Sequence, residues 1–290
     1  MTTPRVSVVI ATRNRATFLP EALKAFEGIV TALPWELIVV DNGSTDTTAQ
    51  VIADFGARTA LAFRGLSEPR PAASRARNTG WRAAAGEIIA MTDDDCYPRP
   101  DYIDAIDACF ANPATGYLGG RIELHDPGDA PVTLQLLDTS VPIRSGGFVR
   151  PGLVHGANMA VRRSVLEAIG GFDVALGAGT RFFCEDLDLL SRASAAGFAG
   201  GYDPRVVVSH HHRRRDPAGV EALRRDYDYG RGAYFSRCLG DPRRRGELLR
   251  WWLRRLPQTL VQLIRYPNVR AMLAAELRGA IACARTQAVE

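Results

Sequence analysis

The 290-residue chain is 46% hydrophobic and 23% charged with a net charge of +4, a globular balance that provides for one large domain or a domain with an appendage. Five scattered cysteines (Cys96, Cys109, Cys184, Cys238 and Cys283), none in a CxxC pair, exclude a disulfide framework or zinc knuckle and point to a reducing compartment. The apolar run after Arg5 is too short for a signal peptide, and no stretch reaches the ~18 apolar residues of a membrane span, so a soluble, cytoplasmic protein is expected.

Residues 5–11 are rich in β-branched side chains and run out into Thr12, Arg13, Asn14 and Arg15, a buried strand feeding a loop. Leu19, Leu23, Phe26 and Ile29 then recur at helical spacing over 17–29. A second strand covers 35–40 with Asp41 at its end. Asn42, Gly43, Ser44, Thr45 and Asp46 supply a turn and a helix cap. That helix is expected to stop at Gly56, with a weaker strand near 60–63 and another helix over 72–85. Alternating strands and helices argue for a mostly parallel sheet, in which ligands gather beyond the carboxyl ends of the strands.

The stretch 88–96 is a buried strand running into Asp93, Asp94 and Asp95. Three adjacent carboxylates repel one another and are costly to bury unpaired, so this strand end wants a cation. A divalent metal on a diphosphate meets that need; the plain alternative is a surface loop whose acids cap the next turn. Thr12 to Arg15, Asp41 and these acids all fall at strand ends expected on one rim.

Further helices are expected over 102–110, from a cap at Ser164 to Gly170, and from near Asp186 to Gly197. Strands are expected over 119–124, 156–161 and 205–209. Residues 126–152 are rich in Pro and Gly and read as a long loop, either an acceptor-facing lid or plain disorder. His210, His211 and His212 follow the last strand. Alternation puts His210 and His212 on one face, while a solvent-facing triplet is the plain reading.

Beyond residue 212 the chain becomes Arg-rich and helical. Residues 213–290 hold 17 Arg against 8 acids, whereas residues 1–212 carry five more acids than Lys plus Arg. Leu248, Leu249, Trp252, Leu253 and Leu256 form one stripe, which Pro257 is expected to interrupt. The stripe suits either an anionic membrane surface, through 246–284, or packing on the preceding domain or on a second copy in a homodimer. No nucleic-acid partner is expected.

Six segments in this order resemble a family-2 glycosyltransferase of the GT-A fold: 8–15 (Val-Val-Ile-Ala-Thr-Arg-Asn-Arg), 39–46 (Val-Val-Asp-Asn-Gly-Ser-Thr-Asp), 76–80 (Ala-Arg-Asn-Thr-Gly), the three acids, 170–173 (Gly-Gly-Phe-Asp) and the pair Glu185 and Asp186. The resemblance covers about residues 5–212. It implies an α/β catalytic domain over 1–212, with a nucleotide-binding half to about 97 and an acceptor-binding half from 98, followed by a helical extension over 213–290. It implies inverting transfer of a sugar from a nucleotide-diphosphate sugar to a hydroxyl-bearing acceptor, whether glycan, lipid-linked sugar or small natural product. Ala11, Thr12, Arg13 and Arg15 would line the base and ribose, though related chains often carry an aromatic residue where this one has Arg13. Asp41 would accept from the base, and Arg77, helped by Arg75, would face the base or diphosphate. Asp93 and Asp94 would lie along the donor, with Asp94 on the ribose. Asp95 would hold Mn²⁺ or Mg²⁺ with His210, His212 being the rival ligand, and Asp186 would be the general base. Processive relatives carry Gln-x-x-Arg-Trp. Here Glu247 precedes Arg250 and Trp251, which favours single addition. A nucleotidyltransferase would want glycine in the loop after the first strand, and a non-catalytic nucleotide-sugar-binding protein is the remaining alternative.

Overall fold

A computed structural model of the chain describes residues 3–287. Four strands, β1 (Val6–Thr12), β2 (Trp35–Asp41), β3 (Phe63–Ser67) and β4 (Ile88–Asp93), pair in parallel in the order β3-β2-β1-β4. Helices α1 (Leu19–Glu27), α2 (Thr48–Arg58) and α3 (Ala73–Ala83) make the crossovers. The central strands are apolar on both faces because both are covered. Val8 and Ile10 pack with Leu19, Leu23 and Phe26 of α1, whereas Val9, Ile38 and Met91 point the other way, toward Trp81 of α3.

α3 lies close against β1, and Gly80 makes that possible: a Cβ there would stand 2.3 Å from Val9 Cγ1. Gly80→Ala is therefore expected to overpack this layer and cost about 1–3 kcal/mol. A urea titration that shows an unchanged midpoint would refute it.

Past β4 the sheet becomes mixed. β4 runs antiparallel to β8 (Asn158–Arg162), and β8 antiparallel to β6 (Thr115–Leu124). β6 is parallel to β9 (Ala199–His210), on which the short β5 (Cys96–Pro98) and β7 (Val141–Ile143) pair antiparallel. α4 (Tyr102–Phe110), α5 (Arg163–Ile169) and α6 (Glu185–Ala195) complete this half.

Several boundaries differ from expectation. β3 sits at Phe63–Ser67 rather than 60–63, because its register is set by β2. α2 continues through Gly56 to Arg58. Ser164 lies inside α5, whose cap position is the extended Arg162. The 126–152 segment is neither free-standing nor structureless: it contains β7, Gln135 exchanges backbone hydrogen bonds with Ile122, and Val149 is fully buried.

Three helices form the tail: α7 (Pro217–Gly240), α8 (Pro242–Arg265) and α9 (Pro267–Gln287). Each opens on proline, whose missing N–H costs nothing in a first turn. Asp216 and Asp241 cap α7 and α8 by accepting backbone N–H bonds. α8 runs through Pro257 instead of breaking there. α7 and α9 touch backbone to backbone at Gly232 and Gly279, where a Cβ would lie 1.9 Å from a carbonyl oxygen of the facing helix. The tail shares a core with the rest of the chain: Phe182 and Cys184 pack with Tyr234, Phe235, Leu248 and Cys283. The Tyr234 hydroxyl donates to Val149 O at 2.8 Å.

Candidate active site

Beyond the carboxyl ends of β1 and β4 lies a cavity of about 650 Å³. Its floor is the loop after β1. Asn14 adopts φ of 54°, a left-handed conformation that asparagine tolerates, and its side chain accepts from Thr45 N at 2.8 Å. Asn42 clamps the next connection: its amide donates to Glu68 O at 3.1 Å and Arg70 O at 2.9 Å, while its oxygen accepts from Ala72 N at 2.8 Å. That clamp sets where α3 begins, and so where Arg77 points.

Ala11, Thr12, Arg13, Arg15, Arg77, Asp93, Asp94, Asp95, Asp186 and His210 all line this cavity. Two expected residues do not. Arg75 is two positions from Arg77, about 200° around α3, and faces elsewhere. Asp41 ends β2 beside Thr12 but lines a neighbouring cavity of about 480 Å³, where it accepts from Ser44 N at 3.1 Å; Asn42 takes the place on the main rim.

Arg77 is almost fully buried and is held between Glu185, at 2.7 Å, and Asp93, at 3.0 Å. Burial opposes its charge, but these carboxylates hold its pKa above the ordinary value. Arg15 bridges the other two acids, 3.3 Å from Asp94 and 3.4 Å from Asp95. Arg15 favours the charged form of both, yet the two adjacent carboxylates differ. Burial, with Asp95 beside it and Arg15 opposing, pushes Asp94 up to about 7. Burial acts on Asp95 too, but the bond from His210 and the nearby arginines hold it below the usual carboxylate range.

His210 Nε2 lies 3.2 Å from Asp95 Oδ1, and its Nδ1 is 3.1 Å from the Thr133 hydroxyl. The Asp95 carboxylate, the His210 ring and Cys96 Sγ offer ligand atoms within 4.8 Å of one another. Mn²⁺ prefers oxygen and imidazole donors to thiol sulfur, which leaves the Asp95 carboxylate and the His210 ring as the donors suited to it. His212 is committed elsewhere: Nε2 meets Ala130 O at 3.0 Å and Nδ1 accepts from Arg214 N at 3.0 Å.

Asp186 stands in the first turn of α6. Its Oδ1 accepts from Leu187 N at 2.7 Å and its Oδ2 from Gly156 N at 2.9 Å. It therefore faces the same cavity as the acidic strand end, from the opposite half of the sheet.

The remaining wall comes from residues that sequence reasoning missed. His155 and the backbone around Gly156 approach from one side, and Arg214, Leu223, Tyr227 and Arg231 from the other. The last three recur every four residues and so share one face of α7. That spacing was the available signal.

Residues 7–170 match the family described as Glycosyl transferase family 2. Over 219 residues the chain is 30% identical to the pre-mycofactocin glycosyltransferase of Mycobacterium tuberculosis, covering 72% of this chain and 43% of that one. It therefore spans less than half the length of that relative. Glycosyltransferase AglE of Haloferax volcanii is 25% identical over 232 residues, covering 80% of this chain and 73% of its own. The mannosyltransferase PcManGT from Pyrobaculum calidifontis, solved in complex with GDP-Man and Mn²⁺, superposes with a TM-score of 0.67 at 22% identity, covering 97% of this chain and 87% of that one. S. aureus TarS 1-349 in complex with UDP-GlcNAc gives 0.64 at 17% identity, covering 84% and 69%. These structures share the fold, a mixed GT-A sheet flanked by helices. A family match running from β1 to the end of α5 takes in the whole parallel sheet and its acidic rim, and the chain belongs to glycosyl transferase family 2.

Proposed function

We propose that the protein transfers a glycosyl group from a nucleotide-diphosphate sugar to an acceptor hydroxyl, in single, metal-dependent additions with inversion at the anomeric carbon. The observation that carries this reading is the convergence of Asp95 with His210, and of Asp186, on one cavity from the two halves of the sheet. The solved relatives named above were captured with GDP-Man and Mn²⁺ and with UDP-GlcNAc, which supports a nucleotide-sugar donor.

Ala11, Thr12, Arg13 and Arg15 receive the base and ribose, with Asp94 on the ribose. Asp95 and His210 would hold Mn²⁺ or Mg²⁺, which supplies positive charge where the diphosphate leaving group becomes more negative. Arg214 has no ion-pair partner among the described residues and adds a second positive charge to that side of the cavity. Arg77, fixed by Asp93 and Glu185, holds the acidic rim in register with α6. Asp186 takes the acceptor proton, and α7 with the 151–157 segment shapes the acceptor side. The acceptor class is a hydroxyl-bearing glycan, lipid-linked sugar or small natural product. Membrane contact and pairing of two copies are the two readings of the tail; no helix among the described residues is long and apolar enough to cross a membrane.

A thermal-shift panel of nucleoside diphosphates and their sugars, with and without Mn²⁺, tests the donor and metal together. A ligand that binds only the folded chain raises its melting point, by about 2.7 kcal/mol of added stability at a hundred times its Kd. The metal-dependent part of that rise is expected to vanish in Asp95→Ala. A panel in which no nucleotide shifts the wild-type chain, or one whose metal dependence survives in Asp95→Ala, would refute the assignment.

A further inference from the structure

We infer that α8 docks the enzyme on an anionic phospholipid surface, with the face running from Leu249 to Ile264 lying flat at the headgroup boundary. Leu249, Leu253, Leu256, Leu260 and Ile264 recur every three or four residues, Trp252 lies one turn from Leu249 and Leu256, and all six share one side of the helix. All six are exposed, Leu253 at 69% and Ile264 at 81%. The stripe is about 22 Å long at helical rise. Folded monomers seldom leave an apolar strip of that length to water without a use for it. The helix is not displaced from the body: Leu248 and Arg244, on its other side, are buried, and Arg244 is tied to Asp188. Packing is thus satisfied along one flank, where Trp252 also meets the Phe235 ring edge-on with centroids 5.6 Å apart, while the apolar face beyond it stays open.

Charge selects the occupant. α8 carries seven arginines and one acid, Glu247. With Arg244 committed to Asp188, six remain exposed: Arg243, Arg245, Arg250, Arg254, Arg255 and Arg265. By helical spacing Arg245 lies on the side of the stripe and Arg250 at its edge, so two copies paired through this face would bring these like charges together. Anionic headgroups would instead be complementary to them, and long arginine stems reach from an apolar face to phosphate. The chain as a whole agrees with that orientation. The surplus of nine arginines lies in the tail, whereas residues 1–212 are net acidic and are repelled from the same surface. The contact is narrower than 246–284, since α9 is packed on α7 through the buried Ala275, Gly279 and Cys283. Taken with the proposed transfer reaction, on which this one step rests, a docked enzyme takes an acceptor that the membrane carries.

The test is co-sedimentation of the full chain with phosphatidylcholine vesicles, with and without phosphatidylglycerol, in the absence of donor. Binding is expected to the anionic vesicles, to fall with added salt, and to weaken at least about tenfold in Leu253→Glu/Ile264→Glu. Both positions are exposed, and an unchanged circular dichroism spectrum and melting point verify that the variant folds. Asp186→Asn is expected to bind vesicles as the wild type does, so failure of the transferase reading leaves this result intact. Three outcomes overturn the inference: equal sedimentation with neutral and anionic vesicles, undiminished binding by the double variant, or no binding to anionic vesicles, in which case a dimer in light scattering that the double variant splits would assign the face to a second copy.

Discussion

Asp186→Asn is expected to lower the rate of sugar transfer, and of metal-dependent donor hydrolysis, by about 10²–10⁴-fold, the usual contribution of a positioned general base. A neutral hydroxyl is a poor nucleophile, so the step depends on a carboxylate within reach of its proton. Asp186 is held in place by the backbone. Leu187 N holds one of its oxygens and Gly156 N the other, yet each oxygen keeps a second lone pair for the acceptor. Glu185 cannot stand in, because its carboxylate is engaged by Arg77 at 2.7 Å. The amide is nearly isosteric and loses one backbone partner, a stability cost of about 1 kcal/mol. The donor-induced thermal shift should therefore survive while turnover collapses. Wild-type turnover in the variant would leave Asp186 as a clasp between the 156 loop and α6, and the base would have to be sought elsewhere.

The parts of the molecule legible in sequence were those whose burial is symmetrical or strongly periodic. β1, β2 and β4 are covered on both faces and read as continuous apolar runs, and α4 matched at both ends because its apolar residues recur at helical spacing. β3 was misplaced because Phe-Arg-Gly-Leu-Ser has no alternation of its own; pairing with Leu37 to Asp41 of β2 fixes its position. β5 and β7 are three residues each and exist as strands only because β9 passes beside them.

At the site, the sequence marked the acidic rim and the helix carboxylate but could not resolve neighbours. Arg75 and Arg77 look equivalent in a string, whereas only one can face the cavity from a helix. His210 and His212 share a strand face in principle. The strand ends at His210, and Arg213 takes φ of 57°, so the backbone turns away and hands His212 to Ala130 and Arg214. The α7 wall lay in the region read as an appendage. Its contribution depends on how the tail is anchored.

That anchor is Asp188, and its removal is the largest stability loss expected in the chain. Its side chain is completely buried, with Arg192 at 2.7 Å, Arg244 at 3.1 Å and Arg237 at 3.2 Å. One carboxylate thus joins α6, which carries Asp186, to α7 and α8. Asp188→Ala takes from Arg192 its carboxylate and from Arg237 and Arg244 the one they share, leaving these two only Asp173 and Asp241, and breaking a buried ion pair on one side costs about 3–5 kcal/mol. Urea unfolding at neutral pH should show it. The pH dependence separates charge from packing. Burial alone would raise the Asp188 pKa, but the three arginines outweigh it and hold the value below the ordinary carboxylate range. A carboxylate depressed in the folded state contributes its full stability above its unfolded pKa of about 3.9 and loses it as pH falls through the folded value. The gap between wild type and Asp188→Asn should accordingly be widest at neutral pH and close in acid. A gap that stays constant over that range would mean that shape, and not charge, ties the tail to the helix bearing Asp186.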